Sequence, residues 1–346
     1  MYHYPIDSLN YFSELLTITP DHHSMNKSLF LYTDMKLHPM VTCPDVTHII
    51  IRGYFNRSSG VSCKEKNGKL FNYMRPTATM DGSTLYINCF PGIDYVYHYG
   101  NIYNSYVLAT NKTIDVRHII PTESDCWNAI VESNLKNVPK PPTVIMGYVE
   151  GIQWISDDNA WHGDGNFLWK HVRLSSGDAI LLGCKHTYWG EISGRIVSYL
   201  AMNGVRRVIY SGKLGTLNPN LSPNTTIATG NRSILPNGKI VFWDNIFEDI
   251  ADDHVYYGTH ITVPSVLQET NQWLMKNITV ATFVDPEIGH MALAAKENNI
   301  EFSYLHIISD NLSKKYDSDL SNERDRIVLK NRENLYDIIG CIIKSV

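Results

Sequence analysis

The stretch that most constrains the fold is Phe283-Val284-Asp285-Pro286-Glu287-Ile288-Gly289-His290-Met291-Ala292-Leu293-Ala294-Ala295, followed by Phe302-Ser303-Tyr304-Leu305-His306-Ile307-Ile308 and Ser309-Asp310-Asn311. An apolar run ends in acids, a helix of small residues follows, and a second apolar run ends on Ser309-Asp310. The pattern predicts strand, helix, strand, with a carboxylate at each strand end. Ligands of open α/β sheets bind beyond the C-terminal ends of the strands. Glu287 and Asp310 are therefore the first candidates for substrate contact.

The same alternation runs back to Thr143. Residues 143–147 and 178–183 read as apolar strands. Residues 190–203 read as a helix stopped by Gly204, with Ile192, Ile196, Val197, Leu200 and Ala201 on one face. Arg207-Val208-Ile209-Tyr210-Ser211 is the next strand and is expected to end in a turn at Gly212-Lys213-Leu214-Gly215. Residues 227–230 and 261–263 follow, and residues 321–346 form an amphipathic helix carrying Val328, Leu335, Ile338, Ile339 and Ile342. Repeated βα units imply an α/β domain with a largely parallel core sheet.

Residues 1–138 read differently. Runs at 47–55, 70–73, 84–90, 95–99 and 105–120 are rich in Tyr, Ile, Val and Thr and are separated by turn residues, which suits strands. Within Tyr95-Val96-Tyr97-His98-Tyr99 strict alternation predicts an aromatic sheet face, half-buried rather than a ligand platform. Residues 124–134 look helical. Val138-Pro139-Lys140-Pro141-Pro142 stiffens the chain, and the domain boundary is placed there: a β-rich domain over 1–138 and a second domain over 143–346.

Charge and cysteine usage narrow the function. A net charge of −5 and a pI near 6.3 argue against a nucleic-acid partner, which would call for a basic patch. No apolar run approaches the ~20 residues of a membrane span. The opening residues lack the basic and apolar regions of a signal peptide. Cys43, Cys63, Cys89, Cys126, Cys184 and Cys341 are scattered and form no Cys-x-x-Cys pair, so reduced thiols and a cytoplasmic location are expected. The 14 histidines show no metal-ligand spacing, and no metal or cofactor is expected. His22-His23 reads as a solvated loop. Gly163-Asp164-Gly165 is too short for a dinucleotide fingerprint.

Taken in order, residues 143–346 resemble the superfamily of purine nucleoside and uridine phosphorylases, which includes nucleosidases. Asn203 to Leu217, with Gly212-x-x-Gly215, is similar to that family's central strand and turn. Ile227-Ala228-Thr229-Gly230 resembles its following strand. Val284-Asp285-Pro286-Glu287 resembles its Val-(Asp/Glu)-Met-Glu motif, and Ile308-Ser309-Asp310 its Ser-Asp motif. The resemblance implies a three-layer α/β domain with a mixed central sheet, a small-molecule nucleoside or nucleotide substrate, and a homo-oligomer in which neighbours complete the pocket. It does not extend to residues 1–138.

The resemblance also implies roles. Breaking an N-glycosidic bond places positive charge on the sugar and negative charge on the departing base, and a carboxylic acid can protonate that base. Asp310, next to Ser309, falls at that position. Arg324, after Glu323, falls near an arginine that assists the acid in some members. Glu287 falls where ribose hydroxyls are bound, a task that suits a carboxylate accepting from two donors. Asp285 reads as structural.

Departures fall in the phosphate half of the site. The loop at 147–151 lacks the family's Asp-Pro and arginine, Tyr210 stands in place of a second arginine, and Lys213, after Gly212, replaces a hydroxyl residue. Pro286 replaces a methionine under the sugar. Lys213 has three readings: a phosphate ligand, a contact for a substrate's anionic group, or a solvated turn lysine. Glu150 and His186 are the two candidates for the base that activates water. The function expected is cleavage of an N-glycosidic bond by hydrolysis. The alternatives are a phosphorylase with a remodelled phosphate site, and a nucleoside-binding protein or repurposed biosynthetic enzyme of this fold.

Overall fold

A computed structural model of the chain describes residues 2–61, 69–317, 319–322 and 324–346, so Cys63 and Glu323 lie outside the described residues. From Thr143 onward the chain builds an 11-stranded mixed sheet. Its spine is the strand Arg207–Thr216, buried except at Arg207 and Lys213. One side of the spine pairs in parallel with Glu301–Asn311 throughout its length. The other side is shared. Thr143–Gly147 runs parallel to its first half, ending at Ser211, and Phe283–Asp285 runs antiparallel beside Gly215 and Thr216. Residues 212–214 lie between these two neighbours. The sheet splits there, which is where an α/β sheet opens a crevice.

Helices cover both faces, so the central strands are buried on both sides. Val144 and Met146 pack in one cluster with Ile192, Ile196 and Met291. Ile145, between them, faces the other cluster with Leu335, Ile339 and Ile343 of the C-terminal helix Arg326–Ser345. Strand alternation thus distributes one sequence run between two helical layers. The expected three-layer α/β arrangement is what the chain adopts.

Two expectations about turns and strands need correction. Gly212-Lys213-Leu214-Gly215 is no turn; it lies within the spine strand, paired with His306, Ile307, Ile308 and Asp310. The glycines mark close approach instead: a Cβ on Gly212 would sit 2.8 Å from His306 Nε2, and one on Gly215 3.0 Å from Asp310 Oδ2. Residues 95–99 are no strand either. They belong to the helix Ile93–Thr110. Tyr95, Tyr99, Ile102 and Tyr103 fall at i, i+4, i+7 and i+8 and are all buried, so helical burial outweighs the strand preference of Tyr and Val.

The N-terminal segment is consequently mixed α/β rather than β-rich. Its sheet, of five strands among the described residues, places His48–Arg52 between Thr84–Asn88 and Asp115–Ile119, parallel to both. The helix Ile93–Thr110 is the crossover, and its end is closed by Asn111 in the left-handed region. Of the run at 105–120 only Asp115–Ile119 is a strand, and residues 70–73 pair in none. The helix expected at 124–134 is found at Glu123–Val131.

The N-terminal sheet shares its core with the larger one. Ile49, Leu85 and Ile102 belong to the same cluster as Ile192, Ile196 and Met291. Two helix starts also cap each other. Glu191 Oε1 accepts from the Ile93 N–H at 2.5 Å, and Asp94 Oδ2 accepts from the Glu191 N–H at 3.1 Å. Each carboxylate faces the positive end of the other's helix. Burial, then the charge of Asp94, pushes the Glu191 carboxyl up to about 8, and Arg195 acts against this. Gly190, at φ +59, is required here: a Cβ would meet Asp94 Oδ2 at 2.3 Å. No helix among the described residues is long and apolar enough to cross a membrane.

Candidate functional site

A cavity of about 210 Å³ opens at the split in the sheet. Its wall includes Asp310, Ser309, Glu287, Pro286, Lys213, Gly212, Tyr210 and Glu150. Eight of the ten residues singled out in the sequence therefore meet in one place. His186 and Arg324 do not.

Asp310 is delivered by an irregularity. The pairing of Glu301–Asn311 with the spine shifts register between Ile308 and Asp310, leaving Ser309 as the extra residue. Such a bulge re-aims the side chains beside it. Ser309 Oγ lies 2.7 Å from Asp310 Oδ1 and 3.1 Å from the Leu214 carbonyl. Burial pushes the Asp310 carboxyl up to about 6, against the stabilising hydroxyl of Ser309 and the charges of Lys213 and Arg332. A carboxyl held there keeps a protonated fraction near neutral pH, as a proton donor requires.

Glu287 sits at the start of the helix Ile288–Glu297. It is half-buried, and its Oε2 lies 3.5 Å from the Tyr210 hydroxyl. Burial and the neighbouring charge of Asp285 raise its carboxyl well above the ordinary value. Asp285 caps the helix: its Oδ1 accepts from the N–H groups of Glu287 and Ile288 at 3.0 and 2.9 Å and lies 2.9 Å from His260 Nε2. Its carboxyl is held below the ordinary value although burial opposes this; the charges of His260 and His306 and the amide contacts prevail. The structural reading of Asp285 fits this geometry.

Glu150 Oε1 accepts from the Leu70 N–H at 3.2 Å. The N-terminal segment thus orients this carboxylate at the cavity edge. Close contact of the two strands also needs Gly147, at φ +110, where a Cβ would lie 1.9 Å from the Ser211 carbonyl oxygen.

His186 is buried between the rings of Phe55 and Phe90, at 4.7 and 4.5 Å, outside the cavity wall. Burial, with the charge of Arg57, pushes its pKa down to about 3. Its neighbours Thr187, Tyr188 and Trp189 line the cavity instead. Arg324 is exposed ahead of the C-terminal helix. The arginine whose charge acts on Asp310 is Arg332, buried, with its Nε donating to Asn224 Oδ1 at 2.7 Å. A signal for it was present: Arg332 falls at helical spacing with Val328, Leu335 and Ile339, a charge on an apolar stripe.

Two further parts of the wall have no counterpart in the sequence reading. Glu269 is 4% exposed, and burial and the charge of Asp310 raise its carboxyl well above the ordinary value. The loop that carries it is held by the N-terminal segment. His23, fully buried rather than solvated, has Nε2 2.9 Å from the Val266 carbonyl, and the Ser24 N–H donates to the Glu269 carbonyl at 3.1 Å. The other part is a wall supplied by the segment itself, including Tyr32, Lys36, Arg75, Tyr95 and His98. His98 stacks on Trp189 at 4.0 Å, and its Nδ1 lies 2.9 Å from Ser265 Oγ. This wall comes from the same chain as the acids it faces.

Outside the cavity, Asp158, His162 and His171 bring one ligand atom each within 4.8 Å of one another. The spacing spans a bend and a strand, so no linear motif marks it. Asp158 Oδ2 lies 3.1 and 3.0 Å from the two imidazoles.

No family model matches the chain. Among curated proteins it is 25% identical over 267 residues to the Oxidoreductase cns1 of Cordyceps militaris, which is 65% of this chain and 32% of that protein. The chain thus spans about a third of the length of that relative. Among solved structures it is similar to the 5′-methylthioadenosine/S-adenosyl homocysteine nucleosidase of Campylobacter jejuni, at TM-score 0.46 and 13% identity over 58% of this chain and 98% of that one. It is similar to the futalosine hydrolase of Helicobacter pylori, at 0.46 and 13% over 58% and 96%. It is also similar to the uridine phosphorylase of Vibrio fischeri, at 0.47 and 12% over 58% and 89%.

Proposed function

We propose that the chain cleaves the N-glycosidic bond of a nucleoside or nucleotide by hydrolysis. The observation that supports this best is the meeting of Glu287 and Asp310 across one cavity, with the Asp310 carboxyl held up to about 6. Glu287 would accept hydrogen bonds from sugar hydroxyls, with the Tyr210 hydroxyl against it. Asp310 would face the base, and Pro286 would pack beside the sugar.

In the step proposed, the C–N bond breaks and its electron pair leaves with the base. Asp310 gives its proton to the base nitrogen, so the leaving group departs neutral. A water oxygen bonds to the anomeric carbon, and Glu150 takes its proton. His186 has no part, since it does not reach the cavity. Arg332 tunes Asp310 in place of Arg324. No cofactor enters the balance.

The test is base release from a panel of nucleosides and nucleotides, in phosphate-free buffer and with phosphate added. The hydrolytic reading expects the same rate in both. Strict dependence on phosphate would replace it with phosphorolysis. Release by neither route, with binding retained, would support the non-catalytic alternative.

A further inference from the structure

The acids of the cavity wall share one origin in the chain, and most of its cations share the other. Among the described residues, its acids, Glu150, Glu269, Asp285, Glu287 and Asp310, all come from residues 143–346. Among the described residues, the charged groups added by the N-terminal segment are Lys36, Lys69 and Arg75, all cationic. They are not surface lysines in the ordinary sense: Arg75 is 5% exposed and Lys36 7%. Lysine and arginine are rarely buried so deeply. Withdrawing such charges from water costs several kcal/mol each before any compensation.

Arg75 and Lys36 stand at the two ends of one aromatic strip. Lys36 Nζ lies 4.5 Å from the centroid of the Tyr32 ring. The Tyr32 hydroxyl is 3.3 Å from His98 Nε2. His98 meets Tyr99 at 5.8 Å, and Tyr99 meets Tyr95 at 5.0 Å. The guanidinium of Arg75 acts on the Tyr95 hydroxyl. The wall also holds Lys213 of the spine strand and Lys69, whose Nζ lies 5.4 Å from the Tyr148 ring. The fully buried hydroxyl of Ser211, in the same wall, has no hydrogen-bond partner among the described residues.

Sugar hydroxyls and a neutral base call for carboxylates and amides, and Glu287 and Asp310 of the wall offer carboxyl groups for that task. They do not call for a guanidinium and three ammonium groups. A phosphoryl group does: it presents several acceptor oxygens and up to two negative charges, and a guanidinium binds it through two parallel N–H bonds. We propose that the N-terminal wall is a phosphoryl subsite built around Arg75 and Lys36, so that the substrate is a nucleotide in preference to a nucleoside. The inference takes the rest of the substrate from the proposed glycosidic cleavage. Inorganic phosphate has the same chemistry and is separated from a substrate-borne phosphoryl group by the test.

The experiment is calorimetric titration of the full chain with the four common ribonucleosides, their 5′-monophosphates and inorganic phosphate, with base release measured alongside. At least one monophosphate is expected to bind tenfold or more tightly than its nucleoside, the effect of about one charge-assisted contact. Arg75→Gln and Lys36→Gln are each expected to remove most of that preference, read as the ratio of monophosphate to nucleoside affinity in the same variant. The wild-type comparison stands even if a variant fails to fold. Equal affinity for every nucleoside and its monophosphate overturns the inference, as does a preference that survives in both variants. Competition by inorganic phosphate, with nucleosides cleaved only in its presence, overturns the nucleotide assignment and assigns the subsite to free phosphate. Preferential nucleotide binding without base release keeps the subsite and removes the glycosidic reading. Base release with no phosphoryl preference does the reverse.

Discussion

Asp310 faces two opposing demands. A buried carboxyl is easiest to keep protonated, and a proton donor needs that state, yet the charged form must be tolerated after the proton has left. Its folded value, about 6, lies above the ordinary 3.8. The folded state therefore binds more protons between those values, and stability falls as pH rises through that window. Below pH ~4 the penalty is absent, and above pH ~6 it is fully present, on the order of 3 kcal/mol at most. Asp310→Asn should consequently unfold at a higher temperature than the wild type at pH 7.5, with the difference closing by about pH 4. A melting series over pH checks this. The rate should fall as pH rises above about 6, because the donor is then lost. Replacing Arg332 by Gln removes a charge that favours ionised Asp310, so this limb should move to higher pH. Arg324→Gln should leave it in place.

Strands, helices and glycines decide which of these residues meet. The strand–helix–strand of 283–310 and the alternation before it were legible because both hydrophobic periods are local. The acids at the strand tips were legible for the same reason. Gly212 and Gly215 were misread because a glycine needed for close approach looks like one needed for a turn; only the neighbouring strand, almost a hundred residues away, tells them apart. Residues 95–99 were misread because Tyr and Val prefer strands and the helical spacing emerges only over 95–103. Arg324 was placed by its distance from the motif, and Arg332, on the apolar stripe of the last helix, was not singled out. Gly147→Ala and Gly212→Ala test the element-level account. Each forces a Cβ onto a packed neighbour, at 1.9 and 2.8 Å. Each should cost about 2 kcal/mol or more by denaturant titration. Gly82→Ala, with nothing within 4 Å but φ +55, should cost only about 1 kcal/mol.

For the molecule as a whole, the division at 138–142 separates two sheets without separating two cores. Ile49 and Leu85 share a cluster with Ile196 and Met291, and Asp94 and Glu191 cap each other's helices. None of this was legible in the sequence, because it depends on contacts between segments a hundred residues apart. We expect the full chain to unfold in one cooperative transition, and residues 143–346 alone to lack one. Two well-separated transitions in a calorimetric scan would restore independent domains. The same closeness lets the N-terminal segment hold the loop of Glu269 and form a cavity wall. In the proposed function that cavity is a site of glycosidic cleavage with Asp310 as the proton donor. The most direct test is single-turnover base release by wild type and Asp310→Asn, with substrate binding measured on both. The account predicts a rate reduced about 10²- to 10⁴-fold with affinity retained; an unchanged rate would contradict it.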